Sequence, residues 1–220
     1  MPNENHLLVS KTARYFTLGE KGRGVTDVWF ACHGYGQMAS DFAKEFECID
    51  ESGRLIVVPE ALSRFYLPEG TGFHGPESKI GATWMTREDR DTEIVDYVNY
   101  LDALYAETLR GIENAKVSVL GFSQGGATAS RWLAMGKSRV DRLVLWGSTL
   151  ASDANLQDAS ALFHKIPLTI VYGKRDQFAD EKLIAGYEEK LKKYDIPFDF
   201  ITFDGGHRMD RETLRSLANR

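Results

Sequence analysis

Short, nearly unbroken apolar runs alternate along the chain with longer stretches whose apolar residues recur every three or four positions. The runs are Val25–Cys32, Leu55–Val58, Val117–Leu120, Leu143–Trp146, Leu168–Tyr172 and Phe198–Phe203. Runs that are apolar almost throughout fit strands buried on both faces, as in a parallel sheet covered by helices. Leu7–Leu18 reads as an additional edge strand. Between the runs, Ser40 is placed to cap a helix that carries Phe42, Phe46 and Ile49 on one face. From Asp91 onward, Ile94, Val98, Leu101 and Tyr105 form a stripe at helical spacing, widened by Val95 and Leu104 and stopped at Arg110-Gly111. Ser123–Met135 reads as a helix ended by Gly136, Asp180–Tyr194 as one closed by Ile196-Pro197, and a last helix runs from Asp210 to Leu217. Strand alternating with helix predicts an α/β fold with a mostly parallel central sheet and helices on both faces. Ligands of such sheets bind beyond the carboxyl ends of the strands, so the residues following each run are where chemistry is expected.

The length, 220 residues, suits a single domain spanning 1–220 with a full core of its own. Hydrophobic residues at 43% and charged residues at 27% exclude a disordered, collagenous or coiled-coil chain. The net charge of −5 disfavours general binding to nucleic acid or to an anionic membrane. No apolar stretch approaches the roughly 20 residues of a membrane span. The opening Met1-Pro2-Asn3-Glu4-Asn5-His6 has neither a basic n-region nor a long apolar h-region, so a cytoplasmic location is expected. Cys32 and Cys48, with no CxxC pair or Cys/His cluster around them, read as reduced structural thiols, and no metal site is expected.

After Val117–Leu120 comes Gly121-Phe122-Ser123-Gln124-Gly125-Gly126, followed by a helical pattern. This is G-x-S-x-G in the strand–turn–helix context that gives it chemical meaning. A sharp turn lifts the Ser123 hydroxyl above the sheet, the flanking glycines allow close backbone approach, and the helix N-terminus offers free N–H groups to a developing oxyanion. A serine hydroxyl needs a base, and the base needs an orienting group. In this turn context the partners follow in the order serine, acid, histidine. His33 and His74 precede Ser123, His164 precedes any late acid, and His6 stands at the start. His207, in Asp204-Gly205-Gly206-His207 after the last run, is therefore the candidate base. Asp176 is the first carboxylate after Leu168–Tyr172 and the candidate acid. Asp180 is the alternative but is also placed to cap the next helix, and Asp204 is too near His207 in sequence to be a comfortable partner. Val28–Cys32 runs into His33-Gly34-Tyr35-Gly36-Gln37, whose glycines free the Tyr35 backbone to turn inward. The backbone N–H groups of Tyr35 and Gln124 are the expected oxyanion donors, and His33 is read as a structural brace of that loop.

These residues together resemble the α/β-hydrolase fold, and more narrowly the carboxylesterase/phospholipase family that includes the acyl-protein thioesterases. The resemblance rests on His33-Gly34 with its short oxyanion loop and on the six residues from Gly121 to Gly126, and it covers the chain from residue 25 to the end. It implies a small enzyme without a large cap domain, with Ser123 as nucleophile, Asp176 as acid, His207 as base and no cofactor. Three departures bear on substrate: Gln177-Phe178-Ala179 where the family tends to carry Val-Pro after the acid, Arg208 after the histidine, and Tyr35-Gly36-Gln37 where the thioesterases tend to have an acidic residue.

The expected activity is hydrolysis of a small-molecule ester or thioester through an acyl-enzyme. An amidase or peptidase on the same triad, or a non-catalytic binding protein on the same scaffold, are the other readings. The stretch from Glu60 to Arg90 reads as a long functional loop without regular structure. Within it Phe73 and Trp84 are expected to wall a shallow acyl pocket suited to short and medium chains.

Overall fold

The computed structural model describes residues 2–68, 74–151, 153 and 156–220. In chain order the elements are β1 (Tyr15–Leu18), β2 (Asp27–Cys32), α1 (Ala39–Ala43) continued by a 3₁₀ turn (Lys44–Ile49), β3 (Arg54–Pro59), β4 (Ser63–Tyr66), β5 (Ile80–Thr83), α2 (Arg90–Leu109), β6 (Lys116–Phe122), α3 (Gln124–Met135), β7 (Arg142–Trp146), α4 (Leu156–Phe163), β8 (Leu168–Gly173), α5 (Glu181–Lys193), β9 (Asp199–Phe203) and α6 (Arg211–Ala218). Seven strands form one sheet in the order β1-β3-β2-β6-β7-β8-β9. All its pairings are parallel except that of β1, which runs antiparallel along β3.

The apolar runs are strands because successive side chains leave opposite faces of the sheet and both faces are covered. Val28, Phe30, Val117, Val119, Leu143, Leu145 and Ile170 face one layer, built by α2, α3 and α5. Trp29, Ala31, Leu120, Phe122, Val144, Trp146 and Val171 face the other, built by α1, the 3₁₀ turn and α6. Parallel pairing also levels the strand ends. Cys32 stands beside Gly121, Phe122 beside Trp146, Trp146 beside Val171, and Gly173 beside Phe203. The residues that follow these ends therefore gather along one edge.

Several expectations need correction. Leu7, Leu8 and Val9 are exposed and unpaired, so the edge strand is limited to Tyr15–Leu18, where the chain finds β3 to pair with. The Ser40 helix exists but its N-cap is Met38, with no side-chain cap bond, and it tightens into the 3₁₀ turn after Ala43; Phe42, Phe46 and Ile49 are buried. In α2, Val95 is 49% exposed and Tyr97 takes the buried place. The stretch from Glu60 to Arg90 holds a hairpin, β4 against β5. Its strands are four residues each, with alternate side chains in β4 turned outward, which left no periodic signal. The helix α4 was not anticipated either.

Two arginines fasten the last helix to the amino edge of the sheet. A helix leaves its final carbonyls without partners, and those of α6 lie in the interior. Arg142 Nη1 donates to Leu217 O at 2.7 Å while its Nε donates to Ser118 Oγ at 2.8 Å. Its guanidinium lies over the Trp29 ring at 4.5 Å. Arg54 Nη2 donates to Ala218 O at 3.1 Å, and its Nε to Asp27 Oδ2 at 2.6 Å. Arg142→Met keeps the aliphatic stem but removes the charged donor from both Leu217 O and Ser118 Oγ. It should lower stability by about 2 kcal/mol in urea titration, while activity per folded molecule is unchanged because the site lies at the opposite ends of the strands.

Candidate active site

Ser123 occupies the turn between β6 and α3 at φ 53, ψ −119, a backbone conformation that L-residues rarely adopt. Its own N–H donates to Trp146 O at 2.9 Å, which ties the turn to the next strand. The close approach that the glycines permit is measurable. A methyl group on Gly121 would stand 2.3 Å from Gly125 O, and one on Gly125 would stand 2.1 Å from Cys32 O. Gly34 packs on Ser123 and Phe122 in the same way, so the loop after β2 lies directly against the serine turn.

His207 follows β9, and Asp176 follows β8. His207 Nδ1 and Asp176 Oδ2 are 2.8 Å apart. The other carboxylate oxygen, Asp176 Oδ1, accepts the Phe178 N–H at 2.9 Å, so both oxygens are held. The His207 ring packs on Phe122, the neighbour of Ser123, with centroids 4.9 Å apart. Among the described residues neither Ser123 Oγ nor His207 Nε2 has a hydrogen-bond partner. Asp204 is paired with Arg175 instead. Asp180 caps α5, its side chain accepting the Leu183 N–H at 2.7 Å. Of the remaining histidines, His6 contacts Asp89, His164 contacts Asp195 and His74 stacks on Tyr66.

His33 is buried beneath the loop after β2. Its Nε2 accepts the Ala61 N–H at 3.1 Å, which leaves the proton on Nδ1, facing Gly34 O at 2.8 Å. Burial holds this imidazole below its usual pKa, against the Gly34 carbonyl and the Glu60 charge, which act in the opposite sense. Around it nearly every loop N–H is engaged: Gly34 N donates to Gln37 Oε1 at 2.7 Å and Gly36 N to Ala82 O at 2.9 Å. The backbone N–H groups of Tyr35 and Gln124 have no partner among the described residues.

The two residues expected to wall an acyl pocket fare differently. Phe73 lies outside the described residues. Trp84 is only 2% exposed; its ring packs edge-on to Tyr97 and tilted on His33, and its indole N–H donates to His33 O at 2.8 Å. It supports the loop from below and has no open face for a substrate, a correction whose cause is the burial of the whole β5 end. The exposed aromatic rings near the site are others. Phe178 is 65% exposed and stands edge-on to His207 at 4.8 Å; Tyr35 is 60% exposed and packs on Phe65 at 5.2 Å.

Three contributors were missed in the sequence. Gly147, the residue after β7, has φ +55, and a methyl there would stand 2.8 Å from His207 Cε1. A glycine directly after a buried run was a readable signal. Phe178 was noted only as a departure, and the side chain of Gln124 carried no signal apart from its place beside Ser123. Among the described residues, the side chains close enough to share a metal ion are Glu4, His6 and Asp89, all exposed. No described helix is long and apolar enough to cross a membrane.

A model of the phospholipase/carboxylesterase family matches residues 15–220. The chain belongs to that family. It is accordingly a hydrolase of the carboxylesterase type. Its fold is similar to that of acyl-protein thioesterase 2 from Zea mays, with TM-score 0.67 at 17% identity over 94% of this chain and 97% of that one. A carboxylesterase from Mesorhizobium loti gives TM-score 0.68 at 17% identity over 97% and 98%, and the Bacillus cereus carboxylesterase 0.63 at 13% over 94% and 92%. Among curated proteins, no sequence matches significantly.

Gly147 gives this family member a test that leaves every polar group in place. Gly147→Ala should strain the backbone and push His207 away from Asp176. A displacement of about 1 Å costs on the order of 10²-fold in rate. Gly186, in α5 with nothing within 4 Å of an added methyl, is the control. Gly186→Ala should raise stability by about 0.5–1 kcal/mol with unaltered kinetics. The pair is read by steady-state esterase assay and thermal melting.

Proposed function

We propose that this carboxylesterase-type hydrolase cleaves carboxylic esters and thioesters through Ser123, His207 and Asp176. The observation that carries the reading is the 2.8 Å contact of His207 Nδ1 with Asp176 Oδ2, next to a serine held at positive φ at the start of α3. Asp176 Oδ2 accepts the hydrogen bond of His207 Nδ1–H, which keeps that proton on Nδ1 and leaves Nε2 unprotonated toward the serine side. Ser123 Oγ attacks the acyl carbon as its proton passes to Nε2. The carbonyl electron pair moves to oxygen, where the free Tyr35 and Gln124 N–H groups and the positive end of α3 meet the charge. Collapse expels the alcohol or thiol, which takes the proton from His207. Water then attacks the acyl-enzyme with the same imidazole as base, releasing the acid and restoring Ser123.

Phe178, exposed against His207, and Tyr35, exposed on the loop that carries a proposed oxyanion donor, favour an ester whose apolar part lies across the mouth of the site. With contact limited to this rim, short and medium acyl chains are the proposed substrates. Across a series of p-nitrophenyl esters, kcat/KM should climb by no more than about fourfold per methylene, the equivalent of ~0.8 kcal/mol, and level off once the chain projects into water. A steady climb out to long chains would contradict the rim. Parallel p-nitroanilide and acyl-CoA assays separate ester, amide and thioester preference.

Ser123→Ala should lower kcat on the order of 10⁶-fold with an unchanged melting temperature and no labelling by a fluorophosphonate. Asp176→Asn should cost about 10⁴-fold by favouring the wrong tautomer. Asp180→Asn should cost only about 1 kcal/mol of stability, as a weakened cap. Full activity in a folded Ser123→Ala protein would overturn the assignment.

A further inference from the structure

The two proposed oxyanion donors come from different parts of the chain, 89 residues apart in sequence, and something must fix the distance between them. Tyr35 N–H belongs to the Gly34–Tyr35 peptide. In a trans peptide the C=O and N–H point in opposite directions. Because the Gly34 carbonyl is held by His33 Nδ1, the Tyr35 N–H is turned to the other side. That arrangement orients the first donor but does not tie it to the second.

The tie runs through β5. The Gln124 side chain turns back over the end of that strand and uses both ends of its amide. Nε2 donates to Met85 O at 2.8 Å and to Thr83 Oγ1 at 3.1 Å, and Oε1 accepts the Trp84 N–H at 3.2 Å. The Thr83 hydroxyl, accepting from Nε2, donates its own proton to Met85 O at 2.9 Å. From the other side of the same residue, the Trp84 indole N–H donates to His33 O at 2.8 Å. Two backbone bonds, Gly36 N to Ala82 O at 2.9 Å and Ala82 N to Gln37 O at 3.3 Å, lay the loop along the strand. One continuous circuit of contacts links the two donors: Gln124 backbone, Gln124 side chain, Trp84, His33, and the peptide that carries Tyr35 N–H.

We infer that Gln124 and Trp84 are positioning residues, whose side chains form a clamp through the β5 end that sets the spacing of the two oxyanion donors. The inference rests on the proposed serine mechanism and adds a function to each residue. Gln124 gives its backbone N–H to the oxyanion and its side chain to the frame. The burial of Trp84 is thereby explained by what its indole holds. The clamp matters only when charge develops on the carbonyl oxygen, so its loss acts on the transition state and not on ground-state binding.

The test uses Gln124→Ala, the near-isosteric Gln124→Met, Trp84→Phe and the double variant Gln124→Met/Trp84→Phe. Each single variant should lower kcat by about 10- to 100-fold with KM within twofold of wild type. Affinity for a trifluoromethyl ketone, whose adduct carries the oxyanion, should fall by the same factor. The pH profile, set by the histidine and its acid, should keep its shape. Opening one circuit twice adds nothing, so the double variant should be no slower than the slower single one. Trp84→Phe retains the ring packing, so it and Gln124→Met carry the test if Gln124→Ala does not fold. Wild-type kcat and inhibitor affinity in the folded variants would overturn the clamp, as would losses that multiply in the double variant. Ser123→Ala run alongside separates the two levels: if it is inactive and the clamp variants are not, only the clamp fails, and if it is active, the mechanism itself fails.

Discussion

The arrangement depends on one strained residue. Ser123 at φ 53, ψ −119 occupies backbone space that costs of the order of 1–3 kcal/mol. Such a conformation persists only where its surroundings over-determine it. Here the surroundings are mostly backbone atoms, with the Ser148 side chain beside Gly126. Gly121 meets the Gly125 carbonyl, Gly125 meets the Cys32 and His33 carbonyls, and Gly126 meets Ser148. No side chain fits at any of these three places, so the ends of β2 and β6 and the start of α3 come into close contact, and the Gln124 and Trp84 side chains then position the donor loop above them. Relaxing the turn would require these elements to separate, which the two packed faces of the sheet oppose.

That rigidity explains why a site assembled from five strand ends needs few contacts of its own. Parallel pairing levels Cys32, Phe122, Trp146, Gly173 and Phe203, and each is followed within four residues by a group that faces the serine turn or its histidine. The longer loop after β7 begins at Gly147 against His207 and is fastened further on at Asp153. There Arg131 Nε and Nη2 reach the carboxylate at 3.0 and 2.8 Å, and Arg90 joins from α2. Catalytic geometry is thus inherited from the sheet, and side-chain hydrogen bonds trim it.

What could be read in the sequence follows the same division. The runs of β2, β3, β6, β7 and β8 were legible because burial on both faces removes most polar residues, β9 at the sheet edge because Phe200, Ile201 and Phe203 remain apolar, and Gly121–Gly126 because the turn dictates its glycines. Asp176 and His207 could be named from chain order and from their place after strands, and the structure brings those two side chains together. The hairpin of β4 and β5 was not legible, since its short strands satisfy no long-range period and pair only with each other and the loop after β2. Trp84 was misjudged for a related reason: an aromatic residue in an apparently irregular stretch looks like pocket lining until the hairpin turns it inward. The Gln124 amide could not have been read at all, because its partners, two backbone atoms and the Thr83 hydroxyl, lie some forty residues away.

That His207 meets Asp176 and neither of its two nearby rivals shows how backbone decides a pairing that sequence leaves open. Asp204 is three residues from His207, and the intervening pair of glycines lets the chain fold back so tightly that Gly205 O and Gly206 O both press on Gly173. That contact brings the β8 and β9 loops together main chain to main chain. The Asp176 N–H closes a turn on Gly173 O at 3.0 Å, and the Phe178 N–H fixes one carboxylate oxygen, so the other projects at the imidazole. Asp204, at the outer side of the same turn, is left to the exposed Arg175. Asp180 is committed elsewhere: as the N-cap of α5 its oxygen accepts the Leu183 N–H. The carboxylate that meets His207 is therefore fixed by which one the two touching glycine turns point inward, and the Gly205-Gly206 pair serves the histidine's partner as much as the histidine.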